Sequence, residues 1–299
     1  MSLEDVSCLI PLYESRQYFA NVCANIDAHL ERGATVYVSD QHMLDDTALL
    51  LDQRYRDNPL VVVITDDGGG NWVANVNLLL DAATTPFVRI IPHDDTVEGT
   101  ATEFLAETLR SRPDAVLSHG HVRAEDNSGN RLPERDDPNF PLRPLSAPDM
   151  FSAGLLWQGL FNGAFKSLIR REHGTHGVVE VRPTKDLIHS ERAWLFGLSL
   201  LGEFVFDERA SMRKRYRTGS VSDVWEPNDS HFQSVVDVMA SYVDDFIADT
   251  NRQKRLRFNL YFNLLRWVNH PANATVARPA FADLMPDDAA RATNAGGIP

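Results

Sequence analysis

Cysteine is scarce in this sequence. Its two thiols, Cys8 and Cys23, form no Cys-X-X-Cys pair and sit among apolar residues. They are expected to be buried and free, which fits a reducing, cytoplasmic setting and gives no support to a disulfide framework. No apolar run is long enough to cross a bilayer. The opening Met1–Ser7 carries Glu4 and Asp5, unlike a secretory signal. Basic charge is also short, with 29 Lys and Arg against 42 Asp and Glu and a formal net charge of −13. That balance argues against nucleic acid as the main partner. An anionic small molecule would need a metal ion or a local group of cations. Finally, Gly68-Gly69-Gly70 is no dinucleotide fingerprint, because Val73 stands where GxGxxG needs its last glycine. No GxxxxGK[ST] phosphate loop occurs either.

What is present is an apolar content of 43 % over 299 residues. That is enough for one large domain, or a domain with an extension. Strand-like runs at 6–12, 35–39, 60–64, 87–91 and 115–117 alternate with helical periodicity at 19–30, 45–55, 71–83 and 100–109. Thr100 and Glu103 have capping-box spacing. This alternation predicts an α/β fold with a mostly parallel sheet covered on both faces. Ligands of such sheets sit beyond the carboxyl ends of the strands. Pro11 to Glu14, Asp40, Asp66-Asp67 and His93-Asp94-Asp95 therefore share one rim. Residues 131–148 are rich in proline and charge and read as a loop. Residues 190–202 and 231–268 read as helices, and 276–299 as a flexible tail.

The block VSCLIPLYES is similar to the opening strand and loop of family-2 glycosyltransferases. VYVSDQHMLDDT resembles their second-strand motif, with Asp40 at the first acid and Gln41 in place of the second. ATTPFVRIIPHDD resembles their fourth strand and DXD motif: without gaps, Pro92 takes the first acid and Asp94 the last, followed by Asp95. Asn77 takes the position of the family's helix asparagine. HSERAWLFGLSLLGEF is similar to the acceptor-side helix and puts Glu191 at the catalytic base. RYRTGSVS resembles a late tyrosine-arginine motif that contains Arg217, without its usual histidine.

The resemblance implies a GT-A-like, Rossmann-type domain over residues 1–222, with a donor half at 1–130 and an acceptor half at 131–222. A helical extension at 223–272 and a tail at 273–299 would follow. It implies an inverting transfer from a nucleotide sugar, UDP first among nucleotides, to a hydroxyl of a carbohydrate or glycolipid acceptor, in polysaccharide or glycoconjugate synthesis. Pro11, Tyr13, Glu14, Asp40, Asp67, Asn77, Asp94 and Arg217 would contact the donor. Asp94 and Asp95 would hold Mn²⁺ or Mg²⁺ against the departing diphosphate, with His93 as a substitute ligand. Glu191 would take the acceptor proton, with Glu180 and Asp186 as fallbacks. Trp194 is expected in the core rather than against a sugar. Two alternatives stay open: a donor-binding relative without activity, for which Gln41 and Pro92 speak, and a nucleotidyltransferase. Peripheral contact with the inner face of a membrane and a homodimer are open as well.

Overall fold

Val6–Pro11 (β1) and Thr35–Asp40 (β2) are buried almost throughout, as parallel strands covered on both faces are. The chain is described by a computed structural model over residues 2–40, 44–65, 70–136, 164–173, 176–216 and 228–268. Val61–Thr65 (β3) and Phe87–Ile90 (β4) complete a parallel group in the order β3-β2-β1-β4. Three helices connect these strands: Phe19–Leu30 (α1), Thr47–Tyr55 (α2) and Trp72–Ala82 (α3). After β4 come the short strand Thr96–Val97 (β5), the helix Gly99–Ser111 (α4) and the long strand Ala115–Glu125 (β6). Leu168–Arg170 (β7), Ser190–Ser199 (α5) and Glu203–Arg215 (β8) follow. Asp229–Phe246 (α6) and Thr250–Val268 (α7) end the described chain.

One sheet of eight strands results, ordered β3-β2-β1-β4-β7-β6-β8-β5. Strand β7 pairs antiparallel with both β4 and β6, while β8 lies parallel to β6. The period-2 alternation sorts side chains to two cores. Leu9, Tyr37, Val88 and Ile90 face one core, with α3, α5, α6 and α7. Cys8, Ile10, Val36, Val38 and Ile91 face the other, with α1, α2 and α4. Helices α6 and α7 thus share the core of β1, β2 and β4.

Strands β4 and β5 are separated by only residues 91–95, yet stand fourth and eighth in the sheet. Four strand spacings of a flat sheet come to about 19 Å. The connection contains a turn, closed by the Asp95 N–H on the Pro92 carbonyl at 3.1 Å. The sheet must therefore curl, carrying β8 and β5 back toward β4. The bending coincides with breaks of register between β6 and β8, one of them at His119–His121. Gly120 permits it, because a Cβ there would stand 2.3 Å from the Ala210 carbonyl oxygen.

Three sequence expectations change. Helix α4 begins at Gly99 after Glu98, so Thr100 is no cap, and Glu103 meets Arg32 at 3.4 Å instead. The fifth predicted strand runs on from 117 to 125. Strand β8 was hidden by its charged composition: irregular pairing with β6 breaks the apolar alternation, and the solvated positions of EFVFDERASMRKR obscure the buried ones.

Candidate functional site

The parallel pairing puts the ends of β1, β2, β3 and β4 at one rim. Asp40 closes β2 beside Thr65, is 3 % exposed and so lies within the rim rather than on it. β2 and β4 flank β1, so about 10 Å of sheet separates Asp40 from the turn after β4. Between them, the β1 loop carries Tyr13, which is 42 % exposed, and Glu14, whose φ of 46° is left-handed. Strain of that kind persists only where the surroundings enforce it. The Leu12 N–H donates to the Ser39 carbonyl at 2.8 Å, and the Tyr13 N–H to Ser15 Oγ at 2.9 Å. Asp45 receives the N–H groups of Arg16 and Thr47, at 2.8 and 2.9 Å. Burial would raise that carboxyl, but these hydrogen bonds hold it below its ordinary value. Asp45 so ties the start of α2 to the β1–α1 loop.

Helix α3 braces the same rim through Asn75, a polar residue on its buried side. Asn75 Nδ2 donates to the Leu12 carbonyl at 3.2 Å, and its Oδ1 accepts from the Ser39 hydroxyl. Asn77, expected at the donor, is hydrogen-bonded to the backbone of Val181. Its Nδ2 donates to the Val181 carbonyl at 2.9 Å and its Oδ1 accepts the Val181 N–H at 2.8 Å. Two residues along a helix is about 200° of rotation, so the two asparagines face opposite sides.

The turn at 92–95 is fastened from beneath by α1. Asn21 Nδ2 donates to the carbonyls of His93 (3.0 Å) and Asp95 (2.7 Å). Asn25 Nδ2 donates to Asp95 O at 2.8 Å, and its Oδ1 accepts the Val97 N–H at 2.9 Å. His93 is buried and stacks on Tyr18 at 5.2 Å, with the Arg215 guanidinium 6.0 Å from the Tyr18 ring. Deeper still, Arg89 NH1 donates to Thr102 Oγ1, which lies 2.7 Å from His29 Nε2. His29 Nδ1 meets the Asn25 carbonyl at 2.7 Å, so Nδ1 carries the proton. Burial lowers His29 to about 4, so the ring is neutral and Thr102 donates to Nε2.

The two acids of the turn differ. Asp94 is half-buried. Asp95 is 1 % exposed, pairs with the Lys166 ammonium through Oδ2 and accepts the Arg215 N–H through Oδ1 at 3.0 Å. Burial pushes the Asp95 carboxyl up, against the pull of Lys166. Both oxygens of Asp95, expected as a metal ligand, are thus engaged inside the protein. Pro92 offers no ligand, and no group of three or more His, Cys, Asp and Glu side chains suited to a metal occurs among the described residues.

Glu191 sits in the first turn of α5. That helix hands over to β8 at the edge opposite the rim, so its Glu191 end is turned away from that edge. Glu191 Oε1 lies 3.7 Å from His189 Nδ1. Its Oε2 is shielded from solvent and has no hydrogen-bond partner among the described residues. The approach is strained: Asp186, Leu187 and His189 have φ of 52°, 60° and 61°. Thr184 holds it through Ile188 O (2.6 Å) and Ser190 Oγ (2.9 Å), and α6 through His231. His231 Nδ1 accepts the Asn228 N–H at 3.0 Å, so Nε2 carries the proton and meets Asp186 Oδ2 at 2.9 Å. Asp186, a fallback base, is thereby bound in place, and Glu180 is exposed. Trp194 is 1 % exposed and donates to the Val179 carbonyl at 2.7 Å, as expected of a core residue.

Residues 164–166 join the two regions. Lys166 holds Asp95, while the adjacent Phe165 ring lies 6.2 Å from Trp72 at the start of α3 and 6.0 Å from Trp194 of α5. Asp67 and Arg217 lie outside the described residues.

No family model and no curated protein matches the sequence. Solved structures do. Residues 1–349 of TarS from S. aureus, in complex with UDP-GlcNAc, align with a TM-score of 0.61 at 12 % identity, over 92 % of this chain and 75 % of that one. Longer TarS aligns at 0.63 and 12 % identity, over 96 % of this chain and 50 % of that one. The mannosyltransferase PcManGT from Pyrobaculum calidifontis, in complex with GDP-Man and Mn²⁺, aligns at 0.54 and 14 % identity, over 97 % and 80 %. The eight-stranded curled sheet with its flanking helices is the fold of GT-A glycosyltransferases.

Proposed function

We propose that this protein transfers a sugar from a nucleoside-diphosphate sugar, UDP-linked in the first instance, to an acceptor hydroxyl with inversion, as family-2 glycosyltransferases do. The supporting observation is the shared rim: Asp40 and the clamped 92–95 turn flank the exposed Tyr13 loop at a spacing suited to a nucleoside diphosphate. Asp40 accepts from the base or ribose, and Tyr13 packs on the base. A divalent cation held by Asp94 and the diphosphate would stabilise the departing negative charge. Glu191, with a shielded and unfilled carboxylate oxygen, accepts the acceptor's proton as its oxygen attacks from the face opposite the diphosphate. The acceptor on this reading is a carbohydrate or glycolipid.

Thermal-shift screening of UDP, GDP and TDP, with and without Mn²⁺, tests donor binding. Release of the nucleoside diphosphate from the matching sugar nucleotide then tests transfer. Absence of any nucleotide-induced shift refutes the reading. The engagement of Asp95 by Lys166, with Pro92 beside it, favours a second reading: a protein that binds the donor without turning it over. A nucleotide-induced shift without release of diphosphate from any donor and acceptor pair selects that second reading.

A further inference from the structure

Helix α7 carries five basic residues and no acidic one, in a chain of net charge −13. Its inner face, Leu256, Leu260, Tyr261 and Leu264, is buried against the core it shares with α6. Arg257 turns to Asp244, at 2.7 and 2.8 Å. The outer face is different. Phe258 and Phe262, one helical turn apart, are each 45 % exposed and stack on each other at 5.9 Å and 12°. Exposed Lys254 and Arg255 stand four and three residues before Phe258, on the same side of the helix. Two aromatic rings flanked by cations on a helix whose other side is buried is the pattern of a segment that lies in the headgroup layer of a membrane.

We propose that the outer face of α7 docks on the surface of an anionic lipid bilayer. The rings would enter the boundary between headgroups and acyl chains while Lys254 and Arg255 meet lipid phosphates. Charge complementarity selects this occupant. The body of the protein is repelled by an anionic surface, but screening limits that repulsion to roughly 8 Å at physiological salt, so the charge of the touching face decides. No helix among the described residues is long and apolar enough to span a membrane, so the contact is peripheral. This inference rests on α7 alone and is independent of the sugar-transfer reading.

The test is co-flotation of the full-length protein with vesicles of phosphatidylcholine alone or with about one third phosphatidylglycerol. The expected result is binding to the anionic vesicles only, weakened by about 0.5 M salt. Lys254→Glu with Arg255→Glu should lower the partition coefficient by twenty-fold or more, at roughly fivefold per charge removed. Phe258→Ser with Phe262→Ser should abolish binding while leaving the melting temperature within about 2 °C. Equal flotation of wild type and both double variants, or no flotation of the wild type, overturns the proposal. So does a wild-type dimer in light scattering that the phenylalanine double variant converts to a monomer, since the face would then be a contact between two copies of the chain.

Discussion

Replacing Lys166 by methionine would leave the Asp95 carboxylate buried with the Arg215 N–H as its remaining donor. Removing one partner of a buried ion pair costs about 3–5 kcal/mol, because the other charge is left uncompensated. At roughly 2–3 °C per kcal/mol for a domain of this size, the melting temperature should fall by about 6–15 °C. The loss should depend on pH in a definite sense. Without the ammonium, the folded-state pKa of Asp95 rises further above its unfolded value. A raised carboxyl stabilises the fold at low pH, and that contribution is lost as pH rises through the folded pKa. The Lys166→Met defect should therefore be larger at pH 8 than at pH 5. Adding Asp95→Leu should recover most of the lost stability, since apolar replacement of a whole buried pair is often neutral or better. Circular-dichroism melts of the wild type, both single variants and the double variant at these two pH values are the assay. A Lys166→Met protein that melts within about 1 °C of wild type at pH 8 refutes the claim that Asp95 is a structural acid held by Lys166.

Asp94→Asn should leave melting nearly unchanged but remove diphosphate release, and full turnover in that variant takes Asp94 out of the mechanism. Glu191→Gln should keep donor binding within about twofold while slowing transfer by about 10²–10⁴; comparison of kcat with donor Kd decides, and an unaltered kcat removes Glu191 as the base. Burial lowers His29 and His119 to about 4, so below pH 6.5 the unfolded chain binds protons that the folded chain refuses. Stability should fall between pH 6.5 and about 4 by on the order of 3 kcal/mol for each histidine. His119→Leu should flatten that acid limb in urea melts, and an unchanged slope contradicts the assignment. Gly197→Ala should destabilise by about 1–3 kcal/mol, because its Cβ would stand 2.8 Å from the Tyr242 ring where α5 approaches α6; a melt equal to wild type would show that the helices separate freely.

The first four strands were legible because each is an apolar run bounded by turn residues, and the first three are each followed by a helix of clear period. The rim followed from their order. Of the far half of the sheet, only the start of β6 was legible. β7 is three residues long, and β8 carries its pairing on a charged, irregular strand. Asp40, Asp94 and Glu191 could be named from the sequence as candidates, but the contacts made by their neighbours could not. Asn75 and Asn77 each stand about 100° from Val76, the centre of the apolar stripe of α3, so spacing does not choose between them, and only the fold shows Asn75 as the buried one. Asn21 and Asn25, four apart on α1, carried a readable signal, since polar side chains on an otherwise apolar helix face need partners. Lys166 carried none: its partner lies 71 residues away and meets it only through the curl.

That curl fixes how the turn after β4 behaves in time. Hydrogen bonds lead from β4 through β7, β6 and β8 to β5, and residues 91–95 close the circuit covalently. No part of such a loop can swing out while the rest stays whole. The amides of Asp95 and Val97 should then exchange with solvent only when the whole molecule opens, placing them among the slowest protons. On the sugar-transfer reading, a donor that used Asp94 would meet a surface already shaped, with no rearrangement of the turn to wait for.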